Sequence, residues 1–229
     1  MQKASELLPN DAEAHGNLAA LFRTRGQFES AEASGRRALQ IKPKFAEGHY
    51  NLGITLKELG RLDEAAASYR RAIEIRPDFA EAQNNLGNTL IDLGRMDEAQ
   101  NCFRRALELR PGFAEAHNNL GVMHERMGEL DAAASCYRKA AELKTDYAEA
   151  HNNLGVVMQS LGQPDTALAC YRKALDIKPD FARAYSNQLF VLASKVSHMW
   201  SKSYYKVLKV LHTHCELLLS LHYIFNPPL

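Results

Sequence analysis

Primary amides recur along this chain at a fixed interval. Asn17, Asn51, Asn85, Asn119, Asn153 and Asn187 stand 34 residues apart, and at three of these places the preceding residue is also asparagine: Asn84, Asn118 and Asn152. A carboxamide offers two N–H donors and a carbonyl acceptor, so one side chain can match both halves of a peptide group. Two further columns keep the same interval. Cys102, Cys136 and Cys170 align with Ser34 and Ser68, while His15, His49, His117 and His151 align with Gln83 and Tyr185. Both columns have the letters of a metal or redox site.

The interval itself identifies what must position these groups. Leu-Gly recurs at 52–53, 86–87, 120–121 and 154–155, and a second glycine follows at Gly26, Gly60, Gly94, Gly128 and Gly162. Alanine repeats at Ala31, Ala65, Ala99, Ala133 and Ala167, and again at Ala38, Ala72, Ala106, Ala140 and Ala174. Proline closes the period at Pro9, Pro43, Pro77, Pro111 and Pro179, with Thr145 in the remaining slot. Five full units follow, 12–45, 46–79, 80–113, 114–147 and 148–181, with a partial sixth over 182–195.

Each unit predicts two helices. In 80–113 the first covers AEAQNNLGNTLIDL and ends at Gly94, because glycine takes a left-handed C-terminal conformation at little steric cost. The second covers MDEAQNCFRRALEL and stops before Pro111, which lacks an N–H and restricts the residue ahead of it. Leu86, Leu90, Phe103 and Leu107 supply the apolar stripe, and small residues at Gly87 and Ala99 allow close approach. One hairpin cannot bury such a face alone, so neighbouring units must stack. Equivalent helices then lie roughly 10 Å apart. That separation exceeds disulfide reach or a shared zinc, so the cysteine and histidine columns predict packing, with no metal and no cofactor.

This pattern resembles the tetratricopeptide repeat: Leu-Gly, a tight-turn Gly, a mid-helix Ala, an aromatic (Tyr69, Phe103, Tyr137, Tyr171), another Ala and a closing Pro. The resemblance covers 12–181 in full and extends over 182–195, and residues 1–11 resemble the end of a preceding second helix. Ala19 for the Leu-Gly glycine, Gly35 for the aromatic and Thr145 for the proline are the departures. The family implies an all-α, right-handed superhelical solenoid whose first helices line a concave groove, a scaffold for protein–protein interaction. The seams PDFAEAQNNLG (77–87), PGFAEAHNNLG (111–121) and TDYAEAHNNLG (145–155) also resemble repeats of O-GlcNAc transferase and SPINDLY-type relatives. In that enzyme family a comparable asparagine ladder holds substrate polypeptide.

Placed on the groove, one asparagine would serve about every third residue of an extended ligand, which advances about 3.3 Å per residue. The resemblance therefore implies a peptide site at Asn17, Asn51, Asn84, Asn85, Asn118, Asn119, Asn152, Asn153 and Asn187. The same amides are equally suited to bonding neighbouring helices, and both roles stand at this stage. A clamp for Hsp70 or Hsp90 C-terminal carboxylates needs Lys and Arg on the first helices. The second position is acidic throughout instead (Glu13, Glu47, Glu81, Glu115, Glu149), which argues against such a clamp.

Composition narrows the function further. Among 229 residues, 28 Lys and Arg balance 27 Asp and Glu, so no basic excess points to nucleic acid. Four cysteines without a C-x-x-C pair fit a reducing, cytoplasmic location, and the polar N-terminus predicts no signal peptide. No apolar run is long enough to span a bilayer. A phosphate loop, a G-x-S-x-G elbow and an H-E-x-x-H pair are all absent, so the chain is expected to lack enzymatic activity of its own. A SPINDLY-like enzyme would further need a two-lobed catalytic half, for which this chain has no room.

After Ala193 the pattern stops. The segment 196–229 carries three lysines and one acid, Glu216, four of the nine histidines and the only tryptophan, Trp200. A helix over about 204–225 would place Lys206, Lys209, Thr213, Glu216 and Ser220 on one narrow polar stripe. Three readings stand for it: a helix capping the last repeat, an amphipathic surface for self-association or a membrane face, or a tail created by truncation or an altered reading frame.

Overall fold

The computed structural model describes residues 10–196, all of whose regular structure is helical. The helices are α1 (Ala12–Thr24), α2 (Phe28–Ile41), α3 (Ala46–Glu58), α4 (Leu62–Ile75), α5 (Ala80–Asp92), α6 (Met96–Leu109), α7 (Ala114–Arg126), α8 (Leu130–Leu143), α9 (Ala148–Ser160) and α10 (Pro164–Ile177). An eleventh, α11, covers 182–196. The expectation for residues 1–11 lies almost wholly outside the described residues, and that for 196–229 lies outside them after its first residue.

Glycine sets the first turn of every unit. Gly26, Gly60, Gly94, Gly128 and Gly162 hold φ between 71° and 78°, where a Cβ is strained. This left-handed step lets the next residue reach back five positions to the open end of the first helix, as Arg95 N–H does to the Leu90 carbonyl at 2.8 Å. The second turn is built differently. Arg76, Arg110 and their equivalents adopt extended backbone after the second helix, and proline follows. Lys144, ahead of Thr145, has the same geometry, so the loop does not depend on the proline.

Packing follows the small residues. The ten repeated alanines are exposed by 1% or less, and each aromatic lies across a Leu-Gly glycine of its own unit. A Cβ on Gly87 would meet the Phe103 ring at 2.7 Å, and one on Gly121 would meet Tyr137 at the same distance. The first unit explains its own two departures by this contact. Gly35 removes the ring, and the methyl of Ala19 occupies part of the freed space. The two substitutions form one compensated exchange.

The core is distributed along the stack. Leu52, Leu56, Tyr69, Leu86, Leu90, Phe103 and Met123 form one buried cluster, and Tyr137, Leu154, Val157, Met158, Tyr171 and Val191 form another. Val191 belongs to α11, so α11 continues the stack. The backbones of successive first helices approach one another closely, whereas successive second helices stand further apart and meet through long side chains, as in Arg36–Glu64 and Arg70–Glu98. The solenoid must therefore bend towards its first helices, which become the inner face. On the outer side, clefts of about 450 and 460 Å³ open between second helices, floored by Leu39 and Leu52 in one case and Leu107 and Leu120 in another.

Candidate functional site

The periodic asparagines fall on α1, α3, α5, α7, α9 and α11, the helices of the inner face. They divide into two kinds. Asn84, Asn118 and Asn152 are buried, at 5%, 6% and 1% exposure. Asn51, Asn85, Asn119, Asn153 and Asn187 are half-buried, and Asn17 is exposed.

Together they form a directional chain of amides. Asn187 Nδ2 donates to Asn152 Oδ1 at 3.0 Å, and Asn152 donates to Asn153 at 3.4 Å. Asn153 donates to Asn118 at 3.2 Å, Asn118 to Asn119 at 3.5 Å, and Asn119 to Asn84 at 3.0 Å. Asn84 donates to Asn85 at 3.3 Å, and Asn85 ends the series on the Tyr50 hydroxyl at 3.2 Å. The chain stops there because tyrosine replaces the acceptor amide. One unit earlier the equivalent residue, Gly16, offers no side chain at all. Asn51 accepts instead from Arg23 at 3.5 Å, and Asn17 has no place in the series.

The buried members are thus held by bonds from the neighbouring unit, at positions that water reaches little. Of the nine asparagines expected to line a peptide site, Asn84, Asn118 and Asn152 are the three whose side chains are buried. The half-buried members are different. Asn119 and Asn153 each give one N–H and accept one bond, so one N–H and one carbonyl lone pair per residue remain, whereas Asn85 also bonds the Tyr69 hydroxyl and keeps a carbonyl lone pair.

Charge lines the same face one to two turns further along. Lys57 bonds Asp92 at 3.0 Å, and Arg126 approaches Asp92 from the other side at 3.9 Å. The Tyr50 ring packs on Phe79 with centroids 4.8 Å apart. Burial pushes its phenol up, and Glu81 adds to the push.

The other columns are structural. His49 Nε2 lies 3.0 Å from the Pro43 carbonyl and His117 Nε2 lies 3.2 Å from that of Pro111, so each imidazole ties its helix to the preceding loop. Burial lowers the His151 pKa, with Lys173 assisting and a bond to the Thr145 backbone opposing. Cys102, Cys136 and Cys170 are free thiols, and burial pushes Cys102 up to about 11. Such a thiol is protonated at neutral pH and a poor nucleophile. No cluster of metal-ligating side chains occurs among the described residues.

One periodic device escaped the sequence reading. The basic residue closing each second helix stacks on the aromatic three residues later: Lys42 on Phe45, Arg76 on Phe79, Arg110 on Phe113, Lys144 on Tyr147 and Lys178 on Phe181, at 3.4 to 5.5 Å. The same cation pairs with the second-position acid of its own unit, as in Arg110–Glu81 at 2.7 Å and Lys144–Glu115 at 3.1 Å. Glu13, Glu47, Glu81 and Glu115 thus serve the loops. The letters K/R-x-x-F/Y before each first helix carried that signal.

A chain of stacked helix hairpins with this spacing defines a helical-repeat scaffold. A family model described as "Tetratricopeptide repeat" matches residues 78–146 and 112–180, and one described as "TPR repeat" matches 21–60 and 55–94. The chain belongs to the tetratricopeptide repeat family. No curated protein matches it in sequence. Among solved structures it is similar to YrrB, described as a TPR protein with an unusual peptide-binding site, at 28% identity and a TM-score of 0.59, over 81% of this chain and 95% of that one. It is similar to MamA at 26% identity and a TM-score of 0.62, over 72% and 97%. A thermophilic TPR protein of Thermus thermophilus, TTC0263, shares the fold at 23% identity, with a TM-score of 0.68 over 80% and 99%. Repeats of this family are scaffolds for protein–protein interaction. No described helix is long and apolar enough to cross a membrane.

Proposed function

We propose that this protein captures an extended polypeptide along its inner face, reading backbone more than side chains. The observation that carries the reading is the unspent donor and acceptor on each of Asn119 and Asn153, with the unspent carbonyl lone pair of Asn85 one unit before them, repeated at helical-stack spacing on half-buried side chains. One N–H and one lone pair complement the C=O and N–H of a peptide group, and they recur about every third ligand residue. The peptide-binding site described for YrrB gives the reading a precedent in a similar protein. Nothing in it requires chemistry, and the chain acts as a scaffold.

The test is the affinity of a labelled, unstructured, neutral peptide pool for the wild type and for Asn85→Ala/Asn119→Ala/Asn153→Ala. Each lost side-chain bond contributes about 0.5–1.5 kcal/mol, so binding should weaken at least tenfold in a variant that stays helical. Equal affinity in a folded variant would remove these amides from the ligand site.

A second reading rests on the paired asparagines within the NNLG seams. There the same groove would recruit substrates for a glycosyltransferase of the O-GlcNAc transferase type. A catalytic reading frame downstream in the gene would favour it, and its absence there would remove it.

A further inference from the structure

Half-buried arginines in this fold are matched with acids, with one exception. Arg23, Arg61, Arg70 and Arg76 are the half-buried arginines among the described residues. Arg61 holds Glu32 and Glu64, Arg70 holds Glu98, and Arg76 holds Glu47. Arg23 holds only the Asn51 carboxamide oxygen, at 3.5 Å, the long limit of a hydrogen bond. A guanidinium that has lost part of its hydration without gaining a carboxylate favours an anion that can reach it.

The amide chain ends on Tyr50, the residue that precedes the Asn51 held by Arg23. Seven bonds follow one another donor to acceptor from Asn187 to Tyr50, and the four that cross between units each donate to the unit before. Tyr50 accepts the last of them, so its own O–H remains to donate. Aligned bonds polarise one another, which strengthens the terminal donor. Arg23 reaches Asn51, the residue next to Tyr50 on α3, and is among the charges that pull the Tyr50 phenol back while burial raises it. The nearby acid Glu81 is held by Arg110 at 2.7 Å.

We propose that Arg23 and Tyr50 form a carboxylate subsite at the N-terminal end of the groove. It takes a carboxylate of the bound polypeptide, whether its C-terminus or an Asp or Glu side chain, and so fixes where the captured chain is anchored. The subsite differs from a clamp of several lysines and arginines on successive first helices, because it joins one guanidinium to the end of a hydrogen-bond chain. It rests on the groove reading above and deepens it.

The experiment uses one unstructured Ser/Ala/Gln peptide in three fluorescent forms: neutral and amidated, free at its C-terminus, and amidated with a single internal Glu. Wild-type protein should bind at least one acidic form about tenfold more tightly than the neutral form. Which acidic form gains identifies the source of the carboxylate. Arg23→Gln should abolish the preference while leaving neutral-peptide affinity unchanged, Tyr50→Phe should reduce it, and the exposed turn variant Arg25→Gln should not change it. A preference that survives Arg23→Gln, or that is missing where neutral peptide binds, overturns the subsite and leaves the groove reading standing. If neutral peptide does not bind, titration with N-acetylglutamate decides the subsite alone. A shift of the Arg23 Nε–H resonance supports the subsite while the groove reading fails, and no shift overturns both.

Discussion

Gly87→Ala is expected to lower the stability of the solenoid by about 2 kcal/mol, although alanine is the better helix former by about 1 kcal/mol. The added Cβ would sit 2.7 Å from the Phe103 ring, which is fully buried and stacked against the cluster of Leu86, Leu90 and Met123. Overpacking at such a contact costs about 1–3 kcal/mol and outweighs propensity. In a chain of this size that corresponds to a fall of roughly 4–8 °C in Tm. Gly35→Ala should do the reverse. There the nearest atoms to a new Cβ are Leu52 at 3.7 Å and Ala19 at 3.9 Å, ordinary contact distances. The helix-propensity gain of about 0.5–1 kcal/mol should then appear as a higher Tm. Thermal unfolding of the two variants side by side decides the matter, and a stabilised Gly87→Ala would refute the packing account.

The second large effect is on the amide chain. Asn84→Ala should cost about 1–3 kcal/mol, because it strands two partners at once. Asn119 Nδ2 loses its acceptor at 3.0 Å and Asn85 Oδ1 loses its donor at 3.3 Å, both at a residue only 5% exposed. Asn17→Ala, at an exposed position outside the chain, should change stability by less than about 0.5 kcal/mol. Urea unfolding of the pair tests this contrast. Equal midpoints would mean that the buried amides contribute nothing as a network.

The fold was legible because its repeated letters are backbone requirements. A left-handed φ needs glycine at Gly94, and a ring crossing a helix needs glycine at Gly87. Such constraints show in any single sequence as strict spacing. Compensation between positions does not, and Ala19 and Gly35 look like two unrelated departures until the ring that both concern is placed. The site was legible only in part. Spacing located the asparagines on one face, but adjacent asparagines on a helix point in directions about 100° apart. Which of each pair is buried, and which accepts from the neighbouring repeat, depends on the rotation between units. The loop cations were missed for another reason. Lys42, Arg76, Arg110, Lys144 and Lys178 look like ordinary solvated charges until the aromatic three residues on is seen beneath them.

The central claim is that half-buried groove amides meet the ligand while their buried neighbours hold the scaffold. The most direct measurement is of the asparagine side-chain NH₂ resonances during titration with the neutral unstructured peptide. The account predicts that Asn85, Asn119 and Asn153 shift with the titration, with much smaller changes at Asn84, Asn118 and Asn152. Shifts confined to Asn101, exposed on the second helix α6, with none at Asn85, Asn119 and Asn153, would contradict it and move the binding surface to the second helices.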